Sequence, residues 1–224
     1  PLVIAANRDE IYDRPSLPAH RWENEEIVGG RDALHGGSWL AITPAGRWAA
    51  VTNLRGSIRT DQPRSRGALV SEFVRSEAGS IQYLNEVDKD IDQYGGFHLL
   101  VGIAAREVGQ LSGGVDALPE GIHGLSNAPP GVRWPKVDTA GDALRGALEG
   151  PDAESIIDSM MRVLRTEPSR DPTRDPFITG DLYGTRASTV IVVAYGGEVR
   201  FVEQGYGRGG SPIGARVDLR LSGS

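Results

Sequence analysis

The sequence predicts an α+β fold in which antiparallel sheets are stacked between helix layers. Three observations predict it: the strand-like segments come as hairpin neighbours, the helical patterns come in consecutive pairs, and strands do not alternate singly with helices as a doubly wound parallel sheet requires. Leu2–Ala6, small and β-branched without alternation, is a short buried strand. Arg14-Pro-Ser-Leu-Pro18 breaks regular structure. Ser38–Thr43 and Arg47–Asn53 form a hairpin through Pro44-Ala45-Gly46, and the Arg-rich residues 54–66 form a mobile surface loop. Ala68–Ala78 and Ser80–Ile91 carry helical apolar spacing, broken by Gly79. Phe97–Ala104 is the next strand, with Gln110–Val115 as hairpin partner and Gly121–Ser126 as a weaker strand. Helices follow at Val132–Leu148 and at Asp152–Leu164, where Ile156, Ile157, Met160, Met161 and Leu164 form the apolar stripe. After a proline-rich surface loop at 168–176, Ala187–Ala194 and Glu198–Glu203 make a hairpin through Tyr195-Gly196-Gly197. Residues 204–224 form a glycine-rich tail holding one further strand, Val217–Leu221. No linker separates two cores, so residues 1–224 are expected to form one domain.

Composition limits the function. The 224 residues carry a formal charge of −6, with 15 acidic and 12 basic residues in each half. No basic stripe concentrates on one segment, which disfavours a nucleic-acid partner. The longest apolar runs, Leu99–Ala105 and Val190–Tyr195, are far below the roughly 20 residues of a membrane span. No visible segment directs export, so a cytoplasmic location is expected. The absence of cysteine excludes disulfides, thiolate metal sites and a cysteine nucleophile within these residues. Arginine outnumbers lysine 22 to 2, a bias expected of GC-rich bacterial coding.

Several motifs match in form and fail in context. Gly205-Tyr-Gly207-Arg-Gly-Gly210 fits the dinucleotide fingerprint, but Pro212 and Gly214 follow where a helix must begin to offer its N–H groups to a pyrophosphate. Asp88, Asp90 and Asp92 start a calcium loop whose sixth and twelfth positions hold Gln93 and Leu99 instead of Gly and Glu. His20, His35, His98 and His123 are dispersed, with no pair at zinc-ligand spacing. Pro1 would be a base of the tautomerase type only as a natural terminus.

One constellation stands out. Asn7-Arg8-Asp9-Glu10 follows the first strand, and further polar groups sit at strand ends: Gly29–Asp32 with Gly36-Gly-Ser-Trp39, Thr52-Asn53, Leu125-Ser-Asn127-Ala128, and Tyr183-Gly-Thr-Arg186-Ala-Ser-Thr189. Strand ends are where side chains from separate strands converge on a ligand. Two Asn, two Arg and one Asp are not an acid–base set on their own. They suit an external nucleophile, with Asn amides to hold an oxyanion, Arg to tune charge and Asp to hold an amine.

These five segments, in this order from residue 2 to about residue 203, resemble the NRDE family, which is also the family of the eukaryotic transport and Golgi organisation protein 2. The resemblance implies an N-terminal-nucleophile hydrolase-like fold, a four-layer αββα sandwich. It further implies that a cysteine exposed by Met removal attacks, its own α-amino group, of pKa about 8, accepting the thiol proton. By the pattern of the similar penicillin V acylases and bile salt hydrolases, Arg8 would lie beside the thiol and Asp9 would orient the amine. The Asn53 backbone N–H and the Asn127 side-chain amide would form the oxyanion hole, and Arg186 would steady the developing charge. That cysteine would lie upstream of Pro1, on a strand preceding Leu2.

Two functions are therefore expected for a small-molecule substrate or ligand. The first is hydrolysis of a linear or acyl C–N bond, which requires no cofactor. The alternative, implied by the links of family members to haem trafficking and lipid metabolism, is a non-catalytic carrier. There, haem would be the cofactor, with the four His and Met160–Met161 as the available iron ligands. A scaffold that keeps the fold without chemistry is the third option.

Overall fold

The computed structural model describes residues 1–56, 64–167 and 169–222. It is α+β, as expected, with two antiparallel sheets and four α-helices among the described residues. The chain groups into two compact units. One holds Pro1–Arg14, Ile122–Gly124 and Arg133–Leu221; the other holds Pro15–Gly121 and Leu125–Val132 with the last residues.

The first unit is a four-stranded sheet with a helix pair. Its strands are β1 (Leu2–Ile11), β9 (Tyr183–Val193), β10 (Val199–Tyr206) and β11 (Pro212–Leu221), hydrogen-bonded in that order. Its helices are α3 (Pro135–Ala147) and α4 (Ala153–Leu164). The stripe expected on α4 is the core: Ile157, Met160 and Leu164 pack with Ala147, Val190, Val192 and Val202, and with Val3 and Ala5 of β1. Asp152 caps α4 in a reciprocal box, its carboxylate accepting from Ser155 N at 2.8 Å while the Ser155 hydroxyl accepts from Asp152 N.

In the second unit seven strands pair only with sequence neighbours: β2 (Ser16–Arg21), β3 (Val28–Asp32), β4 (Leu40–Ile42), β5 (Arg47–Asn53), β6 (Phe97–Ile103), β7 (Glu107–Leu111) and β8 (Val115–Ala117). Helices α1 (Arg66–Arg75) and α2 (Ser80–Lys89) cover this sheet, burying Leu69, Phe73 and Leu84 against Trp22, Leu99, Val101 and Leu111. Arg47, at the start of β5, ends α1. Its guanidinium donates to Phe73 O (3.2 Å) and Ala78 O (2.6 Å) and lies 4.1 Å over the Phe73 ring, which satisfies carbonyls that a helix C-terminus leaves open.

The structure differs from the sequence expectation in several places. β1 does not stop at Ala6 but runs through Asn7-Arg8-Asp9-Glu10 to Ile11, because β9 presents polar partners to it. Within Arg14–Pro18, expected to break regular structure, the edge strand Ser16–Arg21 begins; its Pro18 falls in a register shift between Leu17 and His20. Val28–Asp32 is a strand despite Gly29 and Gly30. Gly121–Ser126 forms no strand. Most of the expected tail is strand β11, which extends well ahead of Val217. Of the expected loops, residues 57–63 and residue 168 lie outside the described residues. Residues 169–175 coil around a buried carboxylate rather than forming a simple surface loop: Asp175, 1% exposed, accepts from Ser169 N (3.1 Å), Ser169 Oγ (2.9 Å) and Asp171 N (3.1 Å).

In the Gly-Gly-Ser-Trp segment Gly36 has a φ of +75°, and Gly37, like Gly30 before it, is required by close packing. A Cβ on Gly37 would lie 2.4 Å from the Gly67 carbonyl carbon, at the start of α1, and one on Gly30 would lie 2.1 Å from the Trp39 ring. Ser38 N donates to Gly67 O at 3.0 Å across the same approach. Since backbone cannot yield as a flexible side chain does, Gly37→Ala is expected to destabilise the protein by at least about 2 kcal/mol. Chemical denaturation, comparing Gly37→Ala with Gly56→Ala, checks it: no neighbour lies within 4 Å of a Cβ at Gly56, although its φ of +78° makes that change costly through the backbone alone.

Candidate functional site

In the first unit the site is built by one irregularity. β1 and β9 pair Asn7 with Ser188, Arg8 with Ala187 and Asp9 with Thr185, so Arg186 is an extra residue, a β-bulge. Val3 and Ala5 face the helices, and strict alternation puts Asn7 and Asp9 on that face and Arg8 on the other. On β9, Ser188 and Thr185 are an odd number of residues apart and would normally face opposite ways. The bulge shifts the phase by one, and both meet β1 side chains of the helix face.

The consequences are specific. Ser188 Oγ donates to Asn7 Oδ1 at 2.6 Å, while Asn7 Nδ2 donates to Leu164 O (2.7 Å) and Pro176 O (2.9 Å). Both ends of Asn7 are thus engaged, tying β1 to the end of α4 and to the segment after Asp175. Thr185 Oγ1 accepts from Ile178 N (2.9 Å), so its single proton is directed at Asp9 Oδ1, 2.7 Å away. Asp9 keeps some surface accessible, yet burial pushes its carboxyl above the ordinary carboxylate range; the Thr185 bond and the charges of Lys136 and Arg8 oppose this. Arg186 lies within β9 instead of in a loop leading to it. Its Nη1 donates to Ile11 O (3.0 Å), Tyr12 O (2.8 Å) and Arg14 O (3.2 Å), holding the chain as it leaves β1.

Arg8 and Asp9 are therefore neighbours in sequence on opposite faces of one strand. The face of Arg8 also carries Thr189 and Glu203, whose side chains are 2% exposed each and joined at 2.9 Å. A buried glutamate in this position has no signal in the sequence beyond its place at an expected strand end.

In the second unit the structure brings the two asparagine segments together. Asn53 is the last residue of β5, and two residues later Arg55 N donates to Asn127 O at 2.8 Å. On the other side of Asn127, the Ala128 carbonyl accepts from the His98 ring at 2.8 Å. The Asn127 main chain is fixed on both sides without belonging to a strand. Its side-chain Oδ1 is buried with no hydrogen-bond partner among the described residues. The side-chain amide of Asn127 thus keeps hydrogen-bonding capacity that no described residue uses at its oxygen.

His98, dispersed in sequence, is engaged at both nitrogens. Ala128 O can only accept, so Nε2 carries the proton, and Nδ1 accepts from Ser112 Oγ at 2.7 Å. His20 Nδ1 lies 2.7 Å from Pro18 O, and Met160 is 2% exposed in the core of the first unit. No three of His, Cys, Asp and Glu gather as a metal-ion site among the described residues.

Because burial raises the Asp9 pKa in the folded protein, the native state holds this proton more tightly than the unfolded chain. The stability it contributes is complete below the unfolded pKa of about 3.9 and falls as pH rises through the folded value. Asp9→Asn keeps an acceptor for Thr185 and removes the titration. The stability difference, Asp9→Asn minus the unsubstituted protein, is expected to become more favourable to the variant between pH 4 and pH 7. Denaturant titrations at both pH values check this.

Comparison with known proteins accords with this geometry. The chain is 33% identical over 238 aligned positions to the human Transport and Golgi organization protein 2 homolog, covering 91% of this chain and 86% of that one. The mouse homolog is 32% identical over the same span and coverage. Among solved structures, a variant of the conjugated bile acid hydrolase from Clostridium perfringens superposes with a TM-score of 0.51, at 6% identity, over 97% of this chain and 88% of that one. That likeness is one of fold, the N-terminal-nucleophile hydrolase-like fold expected from the sequence. The profile of the Transport and Golgi organisation 2 family matches residues 1–208, and this chain belongs to that family.

Proposed function

We propose that the chain carries the substrate-binding and charge-stabilising part of an acyl C–N hydrolase site, acting with a cysteine nucleophile ahead of Pro1. The observation that supports this best is Asn127. Its backbone is clamped by Arg55 N and His98, and its side-chain Oδ1 is buried with no hydrogen-bond partner among the described residues, so the amide's capacity is uncommitted. A donor fixed before the reaction costs no reorganisation when negative charge develops on a carbonyl oxygen. The fold shared with a protein titled a conjugated bile acid hydrolase agrees with a hydrolytic reading.

In this mechanism the Asn127 amide and the Asn53 backbone N–H receive the oxyanion of the tetrahedral intermediate. Arg8 and Asp9 lie on opposite faces of β1, so only one of them faces any single reacting group. Arg186, committed to three carbonyls, acts by holding the exit of β1 in place. The carrier alternative draws less support, because His98 and Met160, two of its candidate iron ligands, are engaged and buried respectively.

The protein produced from its complete gene, assayed against N-acyl amides, tests the proposal. Asn127→Ala is expected to lower kcat by about 100- to 1,000-fold, equivalent to about 3–4 kcal/mol of barrier, with the thermal midpoint little changed. Unchanged turnover in Asn127→Ala would overturn the assignment. A Soret band that shifts on haem addition would favour the carrier instead.

A further inference from the structure

The pair Ser112–His98 has the arrangement of a nucleophile and its base, and nothing in the proposed amide chemistry uses it as one. Ser112 follows the last residue of β7 at the turn into β8 and is partly exposed, whereas His98, near the start of β6, is 3% exposed. The protonation pattern follows from the partners. The Ala128 carbonyl fixes the proton on Nε2, which leaves the Nδ1 lone pair facing the Ser112 hydroxyl at 2.7 Å. A hydroxyl becomes an effective nucleophile when an adjacent base is held by a third group, here a backbone carbonyl in the place a carboxylate often takes. The turn beside Ser112 is built from Gly113, with φ of +76°, and Gly114, around whose missing Cβ there is no atom within 4 Å. A Cβ on Gly113 would lie 3.0 Å from Pro130, so the turn is close-packed on that side and open on the side of Gly114.

We propose that Ser112 is an activated serine with His98 as its base, a thiol-independent site for small acyl esters. The Ser112 proton passes to His98 Nδ1 as Oγ bonds to the acyl carbon. The ester C–O bond breaks and the alcohol leaves with that proton. Water, deprotonated by the same nitrogen, then releases the acid and restores the serine. The site lies wholly within the second unit and uses no group ahead of Pro1, so it stands whether or not the amide reading holds.

The test is labelling of the full chain with an alkyl fluorophosphonate, read by intact mass and peptide mapping. In this reaction the Oγ–P bond forms, the P–F bond breaks, and the proton leaves with fluoride. One adduct on Ser112 is expected. Ser112→Ala should abolish it, and His98→Gln, which retains a donor for Ala128 O, should slow it by about 100-fold or more. Circular dichroism of each variant confirms folding, and the mapping of the unsubstituted protein stands without them. No adduct under conditions that label a serine esterase, an adduct elsewhere, or an unchanged rate in folded His98→Gln would each overturn the proposal.

Discussion

The pairing of β1 with β9, and the single extra residue within it, is the constraint on which the first unit's site depends. A strand alternates its side chains with a period of two, so one inserted residue exchanges the faces of everything beyond it. Here the insertion is Arg186. Without it Thr185 would face away from Asp9, and Asp9 would be a carboxylate in a crowded setting without its hydroxyl donor. The inserted residue is also the one that secures the bulge, since its guanidinium binds three carbonyls at and just past the end of β1. Asn7 extends the same logic toward the helices, joining Ser188, the end of α4 and the Asp175 turn through one amide.

The second unit solves a related problem differently. Asn127 lies in irregular chain, which has no ladder to hold it. Two clamps replace the ladder: Arg55 N just past the end of β5, and the imidazole of His98 from β6. Glycines make the neighbouring approach possible, with Gly37 admitting the backbone of Gly67 where α1 begins. Rigid strands thus position a loop amide, an arrangement common where a loop carries function on a fixed scaffold.

How far the sequence revealed this depends on the range of the interaction. The α4 stripe and the β4–β5 hairpin rest on spacing and turn chemistry, which are local, and both were legible. Strands β2 and β3 were not, because Pro18, Gly29 and Gly30 argue locally against strands; pairing and the Trp39 ring override them. The polar run Asn7–Glu10 looked like the end of a strand for the same reason. Its strand continues only because Ser188 and Thr185 supply partners some 180 positions away. The His98–Ser112 contact and the Glu203–Thr189 pair joined residues that no spacing rule connects.

The sequence by itself determined the α+β class, the helix pairs, the absence of a cysteine nucleophile within these residues and the family, since the ordered polar segments persist along the whole chain. Tertiary structure alone decided which of those polar residues share a face. It set Arg8 and Asp9 apart, turned Arg186 into a structural tie, brought the Asn53 segment beside Asn127, and gave His98 its tautomer. The physical reason is that side-chain direction depends on strand register and on a bulge, and both are fixed by partners distant in sequence.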